Sequence, residues 1–180
     1  MKVTVFRFLV CSAALAAVCF TAHAVRPTQL PPGGTKIRAP SPKDFFGSPS
    51  GYGSSTVARV NGPGFRYVRR MFSFKKNQSY NVSSGIKFTH PLRKGDVLLL
   101  RFWARCRAVD DETGRGIIVA NIQQPGPPWE KSVRSGNSVG KQWEEFICSG
   151  AAHETRETWN RSFGAGTTGK GLKVGGVEIW

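Results

Sequence analysis

Between residues 97 and 109 the chain alternates with a period of two. Leu98, Leu100, Phe102, Ala104, Cys106 and Ala108 are apolar or small, and Arg101, Trp103, Arg105 and Arg107 stand between them. Successive side chains of a β-strand leave opposite faces, so this segment predicts a strand over Val97–Val109 with the even set turned inward. Its other face carries a tryptophan among arginines. Further strands are expected at Phe65–Phe74, Ile117–Gln124, Trp143–Cys148 and Val177–Trp180. In Trp143–Cys148 the alternation sets Phe146 and Cys148 on one face and Trp143, Glu145 and Ile147 on the other, although Trp143 itself reads as a core residue. The pattern assigns no place to Trp159. Turn signals separate these runs, among them Asn61-Gly62-Pro63-Gly64, Lys94-Gly95-Asp96, Pro125-Gly126-Pro127-Pro128, Ser135-Gly136-Asn137 and Gly164-Ala165-Gly166. No long segment has helical periodicity. Many short strands at such spacing predict an all-β sandwich or barrel.

The N-terminal part has a different texture. Lys2 and Arg7 precede an apolar run, Phe8–Phe20, and Ala22-His23-Ala24 is a small-x-small cleavage signal. This order predicts a secretory signal peptide over residues 1–24 and a secreted or periplasmic protein. The run is shorter than the roughly 20 residues that a membrane-spanning helix needs, and no later stretch is apolar enough to span a bilayer. From Val25 to Ser55 the chain is rich in Pro, Gly and Ser, which excludes regular helix and predicts a linker or leading arm, tacked to the domain by Phe45, Phe46 and Tyr52. The domain proper is expected over residues 56–180.

Charge and cysteine content narrow the function. Cleavage removes Lys2 and Arg7 and leaves 24 basic against 11 acidic residues, a net charge of +13. In an exported protein the available polyanions are acidic glycans, lipid headgroups and cell-wall polymers rather than nucleic acid. Cys106 and Cys148 remain as an even pair in an oxidising compartment, and alternation turns both inward. A disulfide between them is expected, with two buried free thiols as the alternative.

Catalytic constellations are sparse. His90 and His153 are too far apart in sequence for a metal motif and read as surface or turn histidines. Glu144 and Glu145, adjacent on a strand, point to opposite faces and do not form the carboxylate pair that glycoside hydrolysis requires. Asp110-Asp111-Glu112 reads as a solvated turn, with a structural calcium site as the alternative. Three N-x-S/T matches, at Asn77, Asn81 and Asn160, read as chance. Aromatic residues beside planar polar ones are the more informative signal. A sugar ring stacks its C–H face on an aromatic ring and bonds its hydroxyls to amides and guanidinium groups. Trp103 between Arg101 and Arg105, Tyr80 before Asn81, and Gln123-Gln124 before the turn with Trp129 and Glu130 fit that description. Packing is the competing role for each aromatic.

Taken in order, these segments resemble a known family. Pro91–Arg105 (PLRKGDVLLLRFWAR) is similar to the central region of carbohydrate-binding modules of families 4, 9 and 22. Ile117–Trp129 (IIVANIQQPGPPW) resembles their next strand and polar turn, and Gly140–Phe146 (GKQWEEF) the strand after it. Gly171–Trp180 resembles the closing strand, and Phe65–Met71 with Ser79-Tyr80-Asn81-Val82 the leading strands. The resemblance spans residues 56–180. It implies a two-sheet β-sandwich jelly roll of the galactose-binding type and a non-catalytic role in binding polysaccharide or oligosaccharide, of the kind associated with glycoside hydrolases. Carried over by position, Tyr80 is a stacking residue, and Arg105 and Gln124 are polar partners near the cleft. With Trp103 and Trp129 they make up the expected ligand-binding set. The positive charge is unusual for modules that bind neutral plant polysaccharides. The rival reading is an exported basic protein of the cell envelope that binds polyanions.

Overall fold

The computed structural model describes residues 34, 35, 37, 41–49, 51–74, 78, 80–109, 112–165 and 175–179. The chain divides into two compact units, Met1–Lys36 and Ile37–Trp180. Of the first, only the exposed Gly34 and Thr35 are described, so the expected signal peptide lies outside the described residues. Among the described residues no helix is long and apolar enough to cross a membrane.

The second unit begins with a short 3-10 turn, Pro42–Asp44, capped by Ser41. Ten strands follow: β1 Phe46–Pro49, β2 Gly53–Arg59, β3 Tyr67–Ser73, β4 Val82–Leu92, β5 Val97–Val109, β6 Gly116–Gln123, β7 Lys131–Val139, β8 Glu144–Ala151, β9 Arg156–Ala165 and β10 Gly175–Ile179. They form two five-stranded sheets, ordered β1-β4-β9-β6-β7 and β2-β3-β10-β5-β8, and every pairing is antiparallel. Consecutive strands repeatedly cross between the sheets, which gives the jelly-roll connectivity of the expected β-sandwich.

β5 has the bounds its alternation predicts. Leu98, Leu100, Phe102, Ala104 and Cys106 are buried between the sheets, and only Ala108, near the strand end, leaves the core. Phe102 meets Phe146 of β8 at 5.3 Å between ring centroids and Phe163 of the opposed sheet at 5.0 Å. Trp159, fully buried on β9, fills the same core. The chain builds β4, β7 and β9 where no apolar alternation marks them. Ser135-Gly136-Asn137 lies inside β7 and Gly164-Ala165 inside β9, although both read as turns. Small and polar residues there are held extended by ladders on their neighbours, a tertiary effect that outweighs local preference.

Two expectations change. The sandwich starts earlier than residue 56. Phe45 is buried against Phe163, β1 pairs with β4, and Arg69 holds the opening strands together through Ser55, donating from Nε to Oγ (2.8 Å) and from Nη2 to the carbonyl (3.1 Å). Phe46 and Tyr52, expected to tack the arm down, are exposed. The second change is to the cysteines. Both are buried on the inward face, but they are free. Cys148 pairs in register with Leu100, and Cys106 lies six residues farther along β5. At about 3.3 Å per residue this is roughly 20 Å, far beyond the ~7 Å Cα limit for a bridge. Facing the same way was necessary for a disulfide but not sufficient. Burial pushes the Cys106 thiol upward, so it stays protonated.

A chain starting at Val25 keeps Cys106 and Cys148 as its only cysteines. Its melting temperature is expected to be the same with and without reductant. A loss of roughly 3–4 kcal/mol on reduction, the size that a bridge closing so long a loop contributes, would contradict the free thiols.

Candidate functional site

The outward faces of the two sheets differ. On the second sheet, the loop after β2 brings Val60 and Phe65 over Val68 and builds a second apolar cluster, against which Ala58, Trp103 and Trp143 pack. Phe65 meets Trp143 edge-on at 4.9 Å, and the Arg105 guanidinium sits 4.6 Å above the Trp143 ring. Beside them Arg101 donates to Glu145, while Glu144 accepts from Arg115 (3.2 Å) and from the Gly140 N–H (2.7 Å). The two neighbouring glutamates thus serve separate arginines. Trp103 stands opposite the main core, as alternation dictates, yet it is half-buried because the loop folds over it. Trp143 belongs to this second cluster rather than to the main core.

The first sheet has no such cover among the described residues, and its register lines up a row across all five strands: Phe46, Gly85, Ser162, Asn121, Arg134. The next row is Lys87, Asn160, Gln123 and, past a bulge, Lys131. The row on the other side contains Ser83, Gly164, Val119 and Gly136. The middle of the face is therefore lined with glycine, serine, carboxamides and Val119, with an aromatic ring on β1 and basic side chains on β4 and β7. Gly85 is where these parts meet. A Cβ there would stand 3.0 Å from the Arg161 carbonyl, 3.2 Å from Asn160 Oδ1 and 3.4 Å from Phe46 Cζ. The bare backbone is what lets the ring and the carboxamide close on one point. Asn160 is 8% exposed, and its Oδ1 and that of Asn121 are buried without a hydrogen-bond partner. An unmatched buried acceptor costs about 1–3 kcal/mol, and one that persists calls for an explanation such as a ligand donor.

The turn from β6 to β7 closes one end of this face. Gln124 N–H donates to the Glu130 carbonyl at 3.0 Å, Trp129 N–H to the Gly126 carbonyl at 2.9 Å, and Lys131 Nζ to the Trp129 carbonyl at 2.9 Å. Trp129 is held at φ 61°, a left-handed backbone that bulky residues rarely adopt, and its side chain is 45% exposed. Behind the turn, Ser132 Oγ and His153 Nδ1 are 2.7 Å apart, and His153 Nε2 faces Glu154 at 3.2 Å and Glu130 at 3.4 Å. His153 is thus half-buried, wedged edge-on against Trp159, and not the surface histidine its sequence context suggests. Arg156 donates to Glu154 at 2.7 Å and is the largest influence holding the Glu154 carboxyl below the ordinary glutamate range.

The five expected ligand-binding residues fall at three places. Trp103 and Arg105 stand on the second sheet. Gln124 and Trp129 lie at the β6–β7 end of the first sheet, Gln124 buried with Nε2 unpartnered. Tyr80, 71% exposed, precedes β4 at the opposite end. Nothing in the sequence pattern marks Phe46, Asn121 or Asn160 as ligand residues. Phe46 sits in the Pro/Gly-rich arm, and Asn160 coincides with a sequon in mid-strand. Of the acidic turn considered for calcium, Asp110 and Asp111 lie outside the described residues, and Glu112 is exposed. Among the described residues no group of three or more His, Cys, Asp or Glu could hold a metal ion.

Gly85→Ala is expected to destabilise by about 1 kcal/mol, lowering the melting temperature by roughly 2–4 °C, because the Arg161 carbonyl is backbone and cannot swing aside. Thermal scanning against wild type checks this. The carboxyl of Glu154 is expected to titrate by NMR below the ordinary glutamate midpoint and to return toward it in Arg156→Gln. Since its folded value is depressed, the pair stabilises above the unfolded value and loses that contribution as pH falls through the folded one.

No protein-family model and no curated protein matches the sequence. Solved structures do match in fold. One, described as CBM4, is 15% identical with a TM-score of 0.54, covering 78% of this chain and 85% of that one. Another, the CBM22-1 xylan-binding domain of Paenibacillus barcinonensis Xyn10C, is 8% identical with a TM-score of 0.51, covering 76% and 85%. The chain therefore has the two-sheet β-sandwich fold of carbohydrate-binding modules.

Proposed function

We propose that this chain is an exported, non-catalytic carbohydrate-binding module that lays a polysaccharide chain across the outward face of its first sheet. The observation that carries the reading is the convergence of the Phe46 ring and the buried, unpartnered Oδ1 of Asn160 over the bare backbone of Gly85. A pyranose needs those two features together. Its C–H face stacks on the ring, and a turn of the Asn160 side chain brings its carboxamide oxygen, closed to solvent as it stands, to a sugar hydroxyl. Asn121 Oδ1 offers a second acceptor one strand away. Small residues along the middle rows leave room for a chain, and Trp129 and Tyr80 stand exposed beyond the two strand ends of the face. Support comes also from the fold, since one module that shares it is described as xylan-binding. The export signal at residues 1–24 agrees with a polymeric substrate outside the cell.

In affinity electrophoresis through xylan, mixed-linkage glucan and acidic polysaccharide gels, Phe46→Ala and Asn160→Ala are each expected to weaken retention by about tenfold, the effect of losing roughly 1.4 kcal/mol. If Trp103→Leu removes retention while Phe46→Ala and Asn160→Ala leave it intact, the site is on the second sheet and this assignment is wrong.

A further inference from the structure

The first-sheet face is also electrically one-sided. Its three central rows contain Lys87, Lys131 and Arg134 and no aspartate or glutamate. Lys87 and Arg134 are exposed, and no described carboxylate pairs with either, whereas Arg101, Arg115 and Arg156 elsewhere each have an acidic partner. Glu130 and Glu154, by the β6–β7 turn, face His153. Lys87 on β4 and Arg134 on β7 are separated by three strand spacings, about 14 Å across the sheet. No single sugar reaches both. A linear chain with anionic groups on separate units does, and it passes Asn160, Gln123 and Asn121 on the way.

Resting on the reading of this face as a glycan site, we propose that its ligand is a linear anionic glycan, bearing uronate carboxylates or sulfate esters, whose charges are taken by Lys87 and Arg134. A guanidinium pairs with either anion through parallel N–H donors, and an ammonium acts as a point charge. The carboxamides between them receive the hydroxyls of the intervening sugars. Neutral polymers would satisfy the carboxamides and leave the two cations without partners.

The test uses the full chain and paired polymers that differ only in charge: polygalacturonate against its methyl ester, and dextran sulfate against dextran, each at low and high salt. At least about tenfold tighter binding of an acidic form is expected, falling with salt. The arm that binds names the anion. Lys87→Gln/Arg134→Gln is expected to lose that preference. Arg59→Gln/Arg66→Gln, which removes the same charge from exposed positions around β2 and β3, is expected to stay within about twofold of wild type. Equal losses in the two double variants would show that only net charge matters and would overturn the proposal. Equal binding of ester and acid would overturn it too, while leaving the glycan site standing provided Phe46→Ala still weakens both. No binding to any of the four polymers would overturn the proposal and leave the glycan site to retention in xylan and glucan gels, whereas binding indifferent to Phe46→Ala and Asn160→Ala would remove the underlying reading as well.

Discussion

The alternating face of β5 holds this molecule together. Leu98, Leu100, Phe102 and Ala104 have nowhere dry to go unless a second sheet lies over them at about 10 Å, and Trp159 and Phe163 supply that cover. Fully burying a side chain such as Phe102 is worth about 1.5–3 kcal/mol, and the set is contiguous. Once the two sheets are stacked in this way, the outward-pointing half of every strand is left for other uses. The edges are also settled: β1 and β2, from a segment poor in regular structure by composition, become the first strands of the two sheets because Phe45 and Arg69 fasten them there.

The two leftover faces take opposite routes. A large aromatic on an exposed sheet loses least by finding other apolar surface, and on the second sheet Trp103 and Trp143 find it in Val60, Phe65 and Val68. Their packing makes that face a small core in its own right. The first sheet bears few large side chains, so nothing among its described residues collapses over it. What is left is a strip of backbone and amides with Phe46 at its edge, and two oxygens that folding alone does not satisfy. It is this strip that the proposed glycan site uses, since a sugar brings both a stacking C–H face and many donors.

The turn that carries Trp129 shows how the scaffold reaches the site. Its backbone bonds from Gln124 and Trp129 fix the loop, and His153 braces it from below between Ser132 and two glutamates. An exposed tryptophan in a left-handed backbone needs that degree of external fixing to keep one position.

Strands whose buried side chains follow a strict period are legible in the amino-acid order. β5, and the direction in which Phe146 and Cys148 face, follow from alternation, since each pleat sends neighbours to opposite sides, and β6 follows from its short, mostly apolar run. β4, β7 and β9 are not legible in this way, because serine, glycine and asparagine become strand only when a neighbouring ladder takes up their amides. The same division governs the site. Sequence alone determined that the fold is all-β, that aromatic and planar polar residues stand near one another, and that basic residues prevail. Tertiary structure decided which of these meet. Register along β5 set Cys106 apart from Cys148, a folded-over loop withdrew Trp103, and two successive antiparallel pairings, β1 with β4 and β4 with β9, brought Phe46 to Asn160. Facing is a local property of two adjacent residues, whereas coincidence in space depends on how distant strands are threaded beside one another.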